Sequence, residues 1–174
     1  MDLHSLPAWS KEGDLHVVIE CPRGSQLKLK YDPTMGVFTL SRALVLGLSY
    51  PYDWGFIPGT RADDGDPVDA MVLIDAPTCP GLVIPCRPLG VVELSQKSEG
   101  GGRERNDRVI AAPCASQRAQ EIDHVDHLPR ALRQELEAFF TNATLFEGKD
   151  PRVLGWKGRK AAERLIRRGV RAFK

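Results

Sequence analysis

The sequence predicts an α+β fold built on a barrel or a strongly curved sheet. Three observations carry this. Seven short segments rich in apolar and β-branched residues fill the first two-thirds of the chain. Turns with Pro, Gly and Asp separate them. Helical periodicity begins only afterwards, in two segments, and strands followed by helices is the α+β order.

The elements follow in order. LHVVIE (15–20), QLKLKY (26–31) and GVFTLS (36–41) alternate or cluster apolar residues, as strands do. AMVLI (70–74) is β-prone and mostly apolar, so a buried strand is expected there. LVIPCR (82–87), PLGVVEL (88–94) and RVIAA (108–112) complete the set. The segment 129–140 then puts Leu132, Leu136, Phe139 and Phe140 on one helical stripe, with Pro129 suited to a first turn. The segment 158–173 does the same with Ala162, Leu165, Ile166 and Phe173. No internal repeat is visible.

Bulk properties narrow the function. A length of 174 residues suits one domain, 1–174, with a sizeable core. Hydrophobic content of 42% and charged content of 27% are ordinary for a globular protein. A net charge of +1 points to neither nucleic acid nor an acidic membrane as partner. The arginine-rich RLIRRGVR (164–171) lies on an amphipathic helix without interleaved aromatics, so it reads as a solvated face. No apolar run approaches the roughly eighteen residues of a membrane span. The opening MDLHSLPAWSKEGD lacks the apolar core of a signal peptide. Cys21, Cys79, Cys86 and Cys114 form no CxxC pair and are expected to be free thiols of a cytoplasmic protein.

Chemistry concentrates at DDGDPVDA (63–70). Asp63, Asp64, Asp66 and Asp69 crowd four carboxylates into seven residues, immediately before a strand. Like charges so close disfavour one another, and solvent or a cation relieves them. Gly65 and Pro67 set a tight turn, so a buried strand anchors the acids. A solvated acidic turn is one reading. A site for hard divalent cations, which take carboxylate oxygens, is the sharper one. A calcium EF-hand is excluded: counted from Asp64, its glycine position holds Asp69 and its glutamate position Asp75.

The segment DGDPVD (64–69) resembles the signature D-x-D-P-x-D of the soluble family I inorganic pyrophosphatases. Other segments agree in order: VVIE ending in Glu20, QLKLKYD with Lys28, SR with Arg42, YPYDWGFIPGT with Tyr50, CRPLGVVEL, and GW at 155–156. The resemblance covers nearly the whole chain. It implies a five-stranded OB-like β-barrel with extra β-hairpins and two C-terminal flanking helices. It implies Mg²⁺-dependent hydrolysis of pyrophosphate to two phosphates, with Mn²⁺ or Co²⁺ as substitute metals. It also implies a cytoplasmic homo-oligomer, with a hexamer favoured.

Roles carried over by the resemblance fall on named residues. Asp64 and Asp69 become metal ligands, with Asp69 bridging to a second ion. Asp66 orients or deprotonates the attacking water and touches the metals. Glu20 is an acid acting on the metals through water. Lys28, Arg42 and Arg108 bind the phosphates, and Tyr50 supports the site with its hydroxyl. Without the resemblance, Lys28 reads equally as a solvent-facing strand lysine, Glu20 as a turn residue, Arg42 as a surface cation, and Tyr50 and Trp54 as core aromatics.

The chain departs from the family pattern at several positions. Lys30 stands where the family carries a glutamate, and Trp54 where it carries a tyrosine. Asn106 takes the place of an aspartate ahead of Arg108. Asp107 is the nearest replacement, with Glu99 and Glu104 as further candidates. Neighbouring side chains on a strand point to opposite faces, so Asp107 serves only if the loop shifts or bulges. Ala143 and Thr144 stand where a Tyr-Lys pair would hold the leaving phosphate, and Asn142 or Lys149 are the nearby substitutes. Two further readings therefore stay open: a non-catalytic relative that binds metal or phosphate, and a hydrolase of another phosphoanhydride.

Overall fold

The computed structural model describes residues 2–98, 100–117 and 120–174. Its strands are β1 (Leu15–Cys21), β2 (Leu27–Asp32), β3 (Val37–Ala43), β4 (Asp53–Ile57), β5 (Val68–Val72), β6 (Val83–Lys97), β7 (Arg103–Arg105), β8 (Arg108–Pro113) and β9 (Arg152–Gly158). The helices are α1 (Arg130–Asn142) and α2 (Arg159–Phe173). No helix among the described residues is long and apolar enough to cross a membrane.

Hydrogen bonding runs β1-β4-β5-β8-β6, and β6 returns to β1. This closes a five-stranded ring, the OB-like barrel that the family resemblance implied, and closure removes its exposed edges. Within the ring β5 and β8 are parallel; the other pairings are antiparallel. β7 and β9 extend the sheet along β6, while β2 and β3 form a separate hairpin.

Three strands escaped the sequence reading. All five residues of β4 are buried, so DWGFI carries no polar alternation to betray a strand. Gly55 in it is required by close approach: an added Cβ would lie 1.8 Å from the Val18 carbonyl oxygen of β1. In β9 two glycines break the pattern, and β7 is only three residues long. The segments 82–87 and 88–94, expected as two strands, are one strand of 15 residues. Pro85 and Pro88 mimic a turn in sequence, but the chain absorbs them with a register irregularity between Pro88 and Gly90.

The strands separate two cores by side-chain alternation. Val68, Ala70 and Val72 of β5 join Val109 and Ala111 of β8, against Ala162 and Ile166 of α2. Met71 and Ile110 face the other way, towards Leu136, Phe139 and Phe140 of α1. Asp69 and Arg108 belong to that second face.

Candidate active site

The α1 side of the barrel holds a cavity of about 120 Å³. Its walls come from distant parts of the chain. Glu20 ends β1, Lys28 and Lys30 lie on β2, Arg42 on β3, and Tyr50 before β4. Asp64, Asp66 and Asp69 enter from the β4–β5 turn and the start of β5, and Asn106 and Arg108 from the start of β8. The end of α1 contributes Phe139 and Phe140, and the segment after it Ala143, Thr144, Lys149 and Pro151.

Strand register explains one ion pair. Ala70 lies opposite Val109 in the parallel β5–β8 pair, so their predecessors Asp69 and Arg108 are neighbours. Their side chains form a salt bridge. Arg108 also lies over the Trp54 ring, 5.2 Å from its centroid, where the aromatic face favours a cation. Asn106 points the same way and contacts the Arg108 guanidinium.

The turn acids are held in place by their own backbone. The Asp66 amide donates to the Asp64 carboxylate at 3.2 Å, and the Ala62 amide to the Asp66 carbonyl at 2.7 Å. Gly65 takes φ +88°, a conformation that suits glycine in the turn. Asp64 is solvent-exposed as a residue, yet the turn walls in its carboxylate enough to matter. That burial, with Asp69 and then Asp66 adding like charge, raises its pKa above the ordinary aspartate value. Asp66 differs: the Lys30 ammonium reaches both its oxygens, at 3.0 and 2.9 Å. Burial alone would lower the Lys30 pKa, but the hydrogen bond and charge of Asp66 hold it above the ordinary lysine value.

Glu20 is 8% exposed. Burial pushes its pKa up to about 7, although the Tyr31 amide donates to it at 2.7 Å. Asp69 adds to the rise, and Lys28 and Lys30 oppose it. Tyr50 packs against Phe139, with ring centroids 5.2 Å apart, and against Trp54. Burial drives its phenol far above the ordinary tyrosine pKa, so it stays a neutral hydroxyl. Arg42 spans the cavity: its guanidinium donates to the Ala143 carbonyl at 2.7 Å and pairs with Glu147. Lys149 approaches the other Glu147 oxygen at 3.4 Å.

The structure thus brings together Glu20, Lys28, Arg42, Tyr50, Asp64, Asp66, Asp69 and Arg108. It does not bring Asp107, expected among the metal acids. Alternation sends Asp107 away from Asn106 and Arg108. Its carboxylate instead accepts from the Leu94 amide at 2.9 Å and pairs with Arg105, also at 2.9 Å. Glu104 bonds Gln96 and lies outside the walls. Glu99 lies outside the described residues. Of the two substitutes considered at the end of α1, Lys149 reaches the cavity, while Asn142 turns its amide back to the Ala138 carbonyl.

His4, Gln96 and Glu147 were not foreseen. His4 arrives from a 3₁₀ turn, Leu3–Ser5, and stacks edge-on against Phe56 and Tyr31. Nothing local in sequence marks it, because its place depends on contacts across the fold. Glu147 follows the helix by five residues, a spacing with no motif.

The donor set suits a hard divalent cation. Among the described residues no three acids gather into a closed cage. Mg²⁺ needs none, since it is usually held by one or two carboxylates, waters and substrate phosphates. Asp64 carries excess negative surroundings and no ion pair among the described residues, which is what such an ion would relieve.

A closed OB-like barrel whose cavity gathers clustered acids beside lysine and arginine side chains is the arrangement of a phosphate-handling class of protein. The family model described as inorganic pyrophosphatase matches residues 17–174. An inorganic pyrophosphatase of Synechocystis is 38% identical over 174 residues, covering 100% of both chains. That of Thermus thermophilus is 39% identical over 177 residues, covering 99% of this chain and 98% of its own. The crystal structure of the Thermus thermophilus inorganic pyrophosphatase superposes with a TM-score of 0.91, at 36% identity over 99% of each chain. The chain belongs to the inorganic pyrophosphatase family.

Proposed function

We infer that this chain hydrolyses inorganic pyrophosphate to two phosphates and depends on a divalent metal ion, with Mg²⁺ as the preferred one and Mn²⁺ or Co²⁺ as substitutes. One observation carries the reading. In a pyrophosphatase-family barrel, Asp64, Asp66 and Asp69 face Lys28, Arg42 and Arg108 across one small cavity.

Pyrophosphate is a compact polyanion, and water attacks it only once its charge is offset. Asp64 and Asp69 would hold the metal, with Glu20 acting behind them through water. Bound there, the ion would supply positive charge for the attacked and departing phosphate oxygens. Lys28 offers a point charge, and Arg42 and Arg108 offer planar forks for phosphate oxygens. Asp66 accepts the proton of the attacking water or fixes its orientation. Tyr50, neutral and packed in place, contributes a fixed hydroxyl. The cytoplasm and a homo-oligomer, hexameric by family resemblance, complete this reading; light scattering of the purified chain checks the assembly.

The test is phosphate release from pyrophosphate with Mg²⁺, beside Asp66→Asn and a metal-free control. Release that needs metal and collapses in the variant supports the reading. A folded wild-type chain inert with Mg²⁺, Mn²⁺ and Co²⁺ would refute it. A second reading, hydrolysis of an organic phosphoanhydride, draws on the apolar wall of Trp54, Phe139 and Phe140 in the same cavity. Turnover of nucleoside or alkyl diphosphates in preference to pyrophosphate would favour it.

A further inference from the structure

We propose that Lys30 is a built-in cation of the site: its ammonium occupies the side of Asp66 that a second divalent ion would otherwise share, so the chain takes up one metal fewer. The proposal rests on the pyrophosphatase reading only in assigning the cavity to metal and phosphate.

The charge pattern of the cavity comes first. Among the described residues its wall carries Lys28, Lys30, Arg42, Arg108 and Lys149 against Glu20, Asp64, Asp66 and Asp69, five cations to four carboxylates. Two of the acids are already matched. Lys30 grips both Asp66 oxygens, at 3.0 and 2.9 Å, and Arg108 grips Asp69. Asp64 and Glu20 form no ion pair among the described residues; each accepts one backbone N–H and keeps carboxylate oxygen for an ion or its water. A second divalent ion at Asp66 would have to dislodge the ammonium or sit against it. Repulsion between a divalent and a single charge about 5 Å apart, even at the dielectric of water, weakens binding roughly tenfold or more.

The placement of Lys30 is built into the fold. Its neighbour Tyr31 is 2% exposed and packs against Phe56, so the register of β2 is fixed from the core side. Thr39 of β3 lies opposite Lys30 and donates to its carbonyl at 3.2 Å. The strand therefore delivers the ammonium to the cavity mouth. The Lys30 and Asp66 side chains are themselves 49% and 55% exposed, so the pair matters little for stability. Its effect falls on the ions the site accepts.

The experiment is Mn²⁺ binding to the phosphate-free protein, followed by the electron paramagnetic resonance signal of free Mn²⁺ at fixed ionic strength. Wild type, Lys30→Arg, Lys30→Gln, Lys30→Glu and Lys149→Gln are compared. Lys30→Gln is expected to tighten Mn²⁺ about tenfold, and Lys30→Glu to add one bound ion per chain. Lys30→Arg should behave as wild type, and Lys149→Gln should change affinity less than threefold. Wild-type stoichiometry and affinity in both Lys30→Gln and Lys30→Glu would overturn the proposal. So would an equal shift from Lys149→Gln, since any nearby cation would then suffice. Pyrophosphate hydrolysis by the same proteins is read separately: a chain that never hydrolyses it, yet shows these Mn²⁺ shifts, refutes the pyrophosphatase reading and leaves the role of Lys30 standing.

Discussion

The two faces of the β5–β8 pair are made of the same strands but do different things. One face presents Val68, Ala70, Val72, Val109 and Ala111 to α2, and its contacts are apolar throughout. The other carries Asp69 and Arg108 beside Met71 and Ile110, under the end of α1. On the first face the helix closes down fully, with Ala162 and Ile166 at 0% exposure. On the second, charged side chains cannot be buried without partners, so the packing stops short and a cavity remains. Alternation alone thus separates the face that packs the barrel from the face that lines the candidate site.

That separation makes a prediction about two sets of substitutions. The largest expected effect is on the charged face. Asp66→Asn should cut the rate of phosphate release with Mg²⁺ by about 10²–10⁴-fold, the range for loss of a general base. Urea denaturation of the same variant should stay close to wild type, because Asp66 is exposed. Comparable losses of stability and rate would mean the two faces are not separable.

Next comes the apolar face. Ile166→Ala should cost about 2–5 kcal/mol of unfolding free energy, read by urea titration, with turnover of the folded fraction retained. A wild-type denaturation midpoint would show that α2 is not needed to close the barrel.

A smaller effect is expected at Arg42, which ties the charged face to the segment after α1. Arg42→Lys keeps the charge but loses the planar guanidinium, whose Nη2 serves Glu147 and the Ala143 carbonyl while its Nη1 reaches the Ala43 carbonyl. The KM for pyrophosphate should rise roughly tenfold, the worth of one charge-assisted bond, with a lesser change in kcat. An unchanged KM would place Arg42 outside phosphate binding.

The smallest effect concerns pH. Burial lowers the His4 pKa below 6.5, against Asp2 and Asp66, which raise it, and with Lys30, which lowers it. The unfolded chain therefore takes up this proton first, and stability falls as pH drops below about 6.5. Urea midpoints at pH 7 and pH 5.5 should differ less in His4→Asn than in wild type. An equal difference in both would clear His4 of the effect.

Much of the site was legible because its signals are local. DGDPVD names its own turn: glycine and proline place three acids, and a strand follows. Lys28 and Arg42 were singled out by the family resemblance rather than by any local signal, and they meet because β2 and β3 pair them directly. Alternation also flagged the difficulty with Asp107, and the structure points it towards Arg105. His4 and Glu147 escaped because their positions depend on segments far away in the chain. β4 escaped because a strand buried on both faces has no polar alternation to read.

The sequence by itself determined the turn that gathers the acids, most of the strands ahead of α1, and the apolar stripes of both helices, but not β9, which falls between them. These depend on residues within a few positions of one another, where backbone preference and side-chain period act directly. Only the tertiary structure decided which charges meet. Lys30 reaches Asp66 across 36 positions, and Arg42 reaches Ala143 across 101. Charges interact through space, so their partners were fixed when the barrel closed.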